Sequence, residues 1–206
     1  TFGGLLATTA YDVRVKAICD PEDEENQSTW TNYEFTSGCA AFDVPFAETF
    51  DSYSMPTCWD ADGFRFSGGY AYSYDLDAWI MTPAINIPSD ETTYLAFDVK
   101  GYGNFSVMAS YRGTDASRFA EIYSGEIESG SNYTQVVVPM SDNLKGRQVY
   151  FKIVNNADQY QYIDNLSVDY CPFVPANLTA THLTENSAVL AWTADEAVNN
   201  FQVKVG

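Results

Sequence analysis

Two carboxylates sit where a strand pattern should place apolar side chains. In FDVPFAETF (42–50) the alternation Phe42, Val44, Phe46, Glu48, Phe50 puts Glu48 on the apolar face. In QYIDNLSVDY (161–170) Asp164 falls in phase with Leu166 and Val168. A carboxylate buried without a partner costs several kcal/mol or takes up a proton. Calcium would resolve the conflict, because it takes six to eight oxygens at about 2.3–2.6 Å from carboxylates and carbonyls. Asp51, three residues after Glu48, and Asn165, next to Asp164, could add oxygens. The expected set is therefore Glu48, Asp51, Asp164 and Asn165 around a structural calcium. The alternative is that Glu48 and Asp164 accept hydrogen bonds from Arg, Tyr hydroxyls or backbone amides. A second acidic stretch, WDADGFRF (59–66), begins like a calcium loop but lacks the later ligands and reads as a polar turn.

Aromatic residues form the second group. Tyr70, Tyr72 and Tyr74 alternate in GGYAYSYD, Trp59 and Trp79 lie near them in sequence, and QYQY repeats the pattern at Tyr160 and Tyr162. Exposed, Trp59, Tyr70, Tyr72, Tyr74 and Trp79 would make a platform for sugar rings or a protein partner. Turned inward, they are sandwich core, and at least half are expected to be. For catalysis the residues are poor. The single histidine, His182, sits among Thr and Leu, and there is no GxSxG, Cys–His pair or phosphate-cradling glycine loop. The chain is expected not to be an enzyme.

The elements that position these groups are strands. Alternating runs recur in YDVRVKAI, YLAFDVKG, NFSVMASY, YTQVVVPM, QVYFKIVN and YIDNLSVDY, separated by Gly, Asn, Asp or Pro. No amphipathic helix of three turns is legible. The class is all-β, as a sandwich or jelly roll. Punctuation gives three pieces: residues 1–40, a body at 41–171, and a third unit at 172–206 that begins in CPFVPANL. NNFQVKVG (199–206) alternates like a half-buried strand and needs a partner.

Composition narrows the function. The chain has 206 residues with 28 acidic against 10 basic, a net charge of −18. That charge argues against nucleic acid and anionic membrane surfaces, and no stretch has the apolar length of a membrane helix. Cys19, Cys39, Cys58 and Cys171 form no CxxC and have no histidine nearby, so two disulfides and an oxidising compartment are expected. Three connectivities are open, of which Cys19–Cys39 with Cys58–Cys171 is preferred: the first would close the acidic run 20–26, the second would tie the ends of the body. The opening residues read as mid-domain sequence, so the chain is expected to be a piece of a longer exported protein.

Two resemblances follow from ordered motifs. The tail (P-x-N-L-T-A, S-A-x-L-x-W, F-x-V-K) resembles the first half of a fibronectin type III domain. The head (L-x-x-x-T-x-Y-x-V-R-V) resembles the second half, with Tyr11 placed as the tyrosine that bonds back to upstream backbone. The resemblance implies that 199–206 pairs with Tyr11–Ile18, so that the halves meet within or between chains, a route to self-association. The body, through PFAETFDSYSMPTCW, GGYAYSYDLDAWIMTPAINIP and QYIDNLSVDYC, resembles the cleaved-adhesin or MAM-like jelly rolls of Bacteroidetes surface proteins. This implies structural calcium and a non-catalytic adhesion module, secreted or at the cell surface, recognising an extracellular protein or glycan. The alternative function is a carbohydrate-binding module accessory to a secreted glycosidase or protease.

Overall fold

The computed structural model describes residues 3–19, 22, 26–128, 130–170, 175–194, 201 and 203. Their strands run in the order β1 (Ala10–Val15), β2 (Thr31–Thr36), β3 (Phe42–Asp43), β4 (Phe46–Glu48), β5 (Asp60–Asp62), β6 (Arg65–Phe66), β7 (Ala71–Ser73), β8 (Trp79–Met81) and β9 (Ile85–Asn86). They continue with β10 (Tyr94–Gly101), β11 (Gly103–Ser110), β12 (Ala120–Ile127), β13 (Thr134–Pro139), β14 (Gln148–Asn155), β15 (Gln161–Asp169), β16 (Ala176–Thr181) and β17 (Val189–Thr193). The one helical element among the described residues is a single 3-10 turn at Ala116–Arg118. The protein is all-β.

Strands β3 to β15 build two sheets packed face to face, a β-sandwich of the jelly-roll kind. The first has the order β13-β10-β15-β7-β6, with β4 also paired to β15. The second has the order β12-β11-β14-β8-β5, with β9 beside β14 and β3 parallel to β9. Alternation decides what lies between them. Leu95, Phe97 and Val99 of β10 face Val107 of β11 and Val149, Phe151 and Ile153 of β14, all buried. Phe97 meets Phe105 edge to face at 6.0 Å, a favoured arrangement for aromatic pairs.

Strand β15 carries both faces of the first sheet, and its phase changes once. Opposite β10, Asp98 pairs with Asp164 and Ala96 with Ser167, so two residues of β15, Asn165 and Leu166, face one of β10. This is a β-bulge, and Asn165 takes φ +48° there, a conformation that Asn tolerates better than most residues. Before the bulge the buried residues are Gln161 and Ile163; after it they are Leu166 and Val168. The expected shared face of Asp164 with Leu166 and Val168 is thus corrected: Asp164 faces outward with Tyr162.

A second correction concerns 42–50. The single expected strand is two, because Pro45 lacks an N–H and interrupts the ladder. β3 joins the second sheet and β4 the first. Strand β4 does lie beside the closing strand β15, with Phe46 opposite Val168 and Glu48 opposite Leu166.

The disulfide joins Cys39 to Cys58, 19 residues apart. A loop near this size stabilises by about 3 kcal/mol in the chain-entropy account. The preferred Cys19–Cys39 pair is therefore wrong: Cys19 is exposed and free. Backbone bonds close its loop instead, from Cys19 N–H to the Asn26 carbonyl (3.0 Å) and from Ser28 N–H to the Ala17 carbonyl (2.9 Å). The preferred Cys58–Cys171 pair is overturned as well, since Cys58 is bonded to Cys39; Cys171 itself lies outside the described residues.

The outer pieces form hairpins, β1 with β2 and β16 with β17, which are separate two-stranded sheets among the described residues. The Tyr11 hydroxyl accepts the Leu6 N–H at 2.7 Å, a bond back to upstream backbone of the expected kind. The pairing of 199–206 with Tyr11–Ile18 falls on residues that, apart from Phe201 and Val203, lie outside the description. Phe201 packs on Trp192 with ring centres 5.4 Å apart.

The bulge generates a stability prediction. Asn165→Gly keeps access to positive φ and should cost no more than about 1 kcal/mol, the scale of the lost Asn165–Asp98 hydrogen bond. Asn165→Val should cost at least about 1–2 kcal/mol more, because a β-branched residue resists that conformation. Urea unfolding of both variants measures the difference; equal midpoints would refute the role given to the bulge.

Candidate functional site

The outward face of the first sheet collects the chemistry. Register aligns Arg65 of β6 with Tyr72 of β7, Tyr72 with Tyr162 of β15, and Tyr162 with Lys100 of β10. This row crosses four strands. Neighbouring strands stand about 4.8 Å apart, so the Tyr72 and Tyr162 rings stack, 5.9 Å between centres and 21° between planes. Period two extends the row along the strands. Tyr160 stacks on Tyr162 at 6.2 Å, Tyr70 meets Tyr162 edge-on at 5.3 Å, and Tyr74 tilts against Tyr160 at 5.2 Å. The cluster stays open: Tyr74 is 37% and Tyr160 51% exposed.

Two cations clamp the ends. Lys100 Nζ lies 4.4 Å from the Tyr133 ring centre and 5.1 Å from that of Tyr162. The Arg65 guanidinium lies 4.3 Å from the Tyr74 ring and 3.6 Å from Asp75 Oδ2. Such contacts hold a cation over a π face while its polar groups stay wet. Beside this row Asp164, Asp98 and Gln135 align across β15, β10 and β13. Burial raises the Asp164 pKa, the Asn165 amide opposes the rise, and the negative charges of Asp98 and Asp51 add to it. Burial, followed by the Asp164 charge, pushes Tyr133 to about 12, so its phenol remains a hydrogen-bond donor at physiological pH.

Of the expected aromatic platform, Tyr70, Tyr72 and Tyr74 are here, all three on the outer face rather than half inward. Trp59 is not. It is 6% exposed and packs on Phe46 and Phe50 at 6.2 and 5.1 Å, in phase with Ala61, which pairs with buried Ile80. Trp79 lies on the outer face of the other sheet, opposite Val154, with Lys152 Nζ 3.9 Å from its ring. The chain crosses between sheets from β7 to β8, so nearness in sequence to Tyr74 meant nothing in space. Arg65, Asp98, Lys100 and Tyr133 were missed. The alternation in YLAFDVKG already sets Asp98 and Lys100 on one side, but no local signal says which strands lie beside it.

Of the four expected calcium ligands, Glu48 and Asp164 lie on opposite faces of the first sheet. Glu48 lies on the inner side of β4 and its Oε1 accepts the Phe50 N–H at 2.8 Å. Asp164 is on the other face, with Oδ1 accepting the Asn165 N–H at 2.7 Å. Asp51 Oδ2 accepts the Thr49 hydroxyl at 2.8 Å, and the Asn165 side-chain amide donates to Asp98 Oδ2 at 2.9 Å. Among the described residues no group of three or more acidic, His or Cys side chains is arranged to hold a metal ion. In the 59–66 stretch, Asp60 and Asp62 are exposed residues of β5 and Gly63 makes the turn at φ +74°.

No family model and no curated protein matches this chain. Solved structures do. The K1 cleaved adhesin domain of Lys-gingipain from Porphyromonas gingivalis W83 is 17% identical, covering 61% of this chain and 98% of that one, with a TM-score of 0.51. The K3 cleaved adhesin domain of the same protein gives 16%, 60%, 98% and 0.48. A family 29 carbohydrate-binding module from Piromyces equi gives 11%, 61%, 91% and 0.45. At these identities the likeness is one of fold, the cleaved-adhesin β-sandwich.

The raised Asp164 pKa has a sign that can be checked. The folded state holds the Asp164 proton more tightly than the unfolded chain, so stability falls as pH rises from the ordinary carboxyl value through the folded one. In chelator, Asp164→Asn should melt higher than the parent at pH 7 and lose that advantage below the ordinary value of 3.8. Thermal melts across pH measure it. A melt raised by calcium in the parent and not in the variant would instead mark these carboxylates as a cation site.

Proposed function

We propose that this chain is a non-catalytic binding module of an exported protein, and that the tyrosine face of its first sheet takes a glycan. One observation carries the reading: Arg65, Tyr72, Tyr162 and Lys100 stand in register across four strands, with Tyr70, Tyr74, Tyr160 and Tyr133 around them. A sugar ring presents an apolar C–H face and a rim of hydroxyls. Partly open phenol rings supply the matching apolar area at little conformational cost, since a tyrosine has few torsions to freeze. The rim would meet Asp98, Asp164, Lys100 and Gln135, which offer acceptors and donors side by side. Ladder hydrogen bonds and ring packing fix these groups before a ligand arrives, which lowers the entropy cost of binding.

The scaffold supports the reading. A sheet face is broad and shallow, suited to holding a chain of rings and ill suited to enclosing a reaction. The Cys39–Cys58 disulfide fits an oxidising compartment, and among the described residues no helix is long and apolar enough to cross a membrane.

Screening the whole chain on a glycan array, followed by calorimetry on the best hit, tests this. Tyr162→Ala and Tyr72→Ala should each weaken binding at least about tenfold, as expected for central aromatic anchors. Trp79→Phe, on the other sheet, should leave it unchanged. An array without hits, or a hit insensitive to both tyrosine changes, would sink the glycan reading and leave a protein partner or a spacer role.

A further inference from the structure

Where β11 ends and β14 begins, two arginines share one tyrosine ring. The Arg147 guanidinium carbon lies 4.2 Å and that of Arg112 5.2 Å from the ring centre of Tyr111, and Arg112 Nη2 donates to the Tyr111 hydroxyl at 3.3 Å. Tyr111 is half-buried against the core and so a fixed support, while both arginines are exposed. The backbone under them is tied down. The buried Ser110 hydroxyl donates to the Gly113 carbonyl at 2.7 Å and accepts the Arg112 N–H at 3.3 Å. Arg118 donates to the Arg112 carbonyl and pairs with Asp115 at 2.8 Å. The Arg147 carbonyl accepts the Ile87 N–H at 2.9 Å. The chain has 28 acidic residues, yet among the described residues no carboxylate stands within ion-pair distance of Arg112 or Arg147.

We propose that Arg112 and Arg147, braced on Tyr111, form a subsite for one tetrahedral dianion such as phosphate, free or borne as a monoester. Charge selects the ligand. Two guanidiniums left without a carboxylate call for two negative charges, which a phosphate monoester approaches near neutral pH. Geometry agrees. Sharing one ring keeps the two guanidinium carbons within roughly 10 Å of each other, a gap that one oxyanion bridges through hydrogen bonds of about 2.8 Å on each side. Arginine forks present paired donors in a plane, which a tetrahedral group can meet with separate oxygens for each. The net charge of −18 repels polyanions, so a nucleic acid, charged at every phosphate, is a poor source and a single compact dianion a good one. The site is independent of the tyrosine face. The eight residues of β11 separate Tyr111 from the turn that follows Lys100, a span of roughly 25 Å.

The test titrates the whole 15N-labelled chain at pH 8 with inorganic phosphate, glucose 6-phosphate and acetate, sodium chloride holding the ionic strength constant. Phosphate should give saturable shifts at the amides of Tyr111, Arg112, Gly113 and Arg147 and at the Nε–H of both arginines. Acetate, planar and singly charged, should bind at least about tenfold more weakly. Tighter binding of glucose 6-phosphate than of phosphate would support the site with an ester as its source, and equal or weaker binding would support it with the free ion. Arg112→Gln and Arg147→Gln should each weaken phosphate about tenfold, and Arg147→Lys, which keeps the charge and loses the fork, about threefold. Thermal melts of the variants confirm that the fold survives. Arg14→Gln, an equal change of charge on β1, should leave binding as it was. Acetate matching phosphate, equal loss in Arg14→Gln and Arg147→Gln, shifts centred elsewhere, or no saturable shifts would each overturn the proposal.

Discussion

One extra residue in β15 sets the chemistry of this molecule. Strand β15 is central in the first sheet, with β10 on one side and β7 and β4 on the other. Its first half must turn Ile163 inward, and its second half must turn Leu166 and Val168 inward. Those positions have opposite parity, so an unbroken ladder would bury one set and expose the other. The bulge at Asn165 absorbs the mismatch. It also sends Tyr162 and Asp164 to the surface beside Lys100 and Asp98, and separates Asp164 from Glu48 although their strands are neighbours.

What collects on that surface follows from strand spacing and charge. Tyrosines at alternate positions on adjacent strands have their rings at stacking distance, so the cluster needs little beyond register to form. In a chain this acidic, most added negative charge is unwelcome, and at Asp164 burial raises the pKa with the Asp98 charge adding to it. Lys100 offsets part of the repulsion and is itself held between Tyr133 and Tyr162. The outer face of the other sheet has a quieter version of the same device. There Lys152 is nearly buried between Trp79 and Phe119, and burial lowers its pKa against the pull of Asp60. Its contacts close over the cation, whereas the rings of the first sheet are left partly open.

The strands of the sandwich were legible because period two survives in single segments: YLAFDVKG, NFSVMASY and QVYFKIVN became β10, β11 and β14 with Leu95, Phe97 and Val99, Phe105 and Val107, and Val149, Phe151 and Ile153 inside. The bond of Tyr11 back to upstream backbone was reached through the sandwich resemblance and not through period two, and only the structure names Leu6 as its partner. Trp59 and Trp79 were misplaced because alternation reports a change of face and never which sheet a strand has joined. The cysteine pairing failed similarly: an acidic run between two cysteines reads as a loop to be bridged, yet hairpin hydrogen bonds had already closed it.

The sequence by itself determined the all-β class, the strand segments, the acidic surface and the presence of tyrosines at face-sharing positions, because these are properties of neighbouring residues. Only the tertiary structure decided that Tyr72, Tyr162 and Lys100 stand in one row with Arg65, that Asp164 looks outward, and that Cys58 reaches back to Cys39. Each depends on which distant strands pair and in what register. That choice is made by burying Phe97, Phe151 and Leu166 together, a condition on the whole chain that no local window contains.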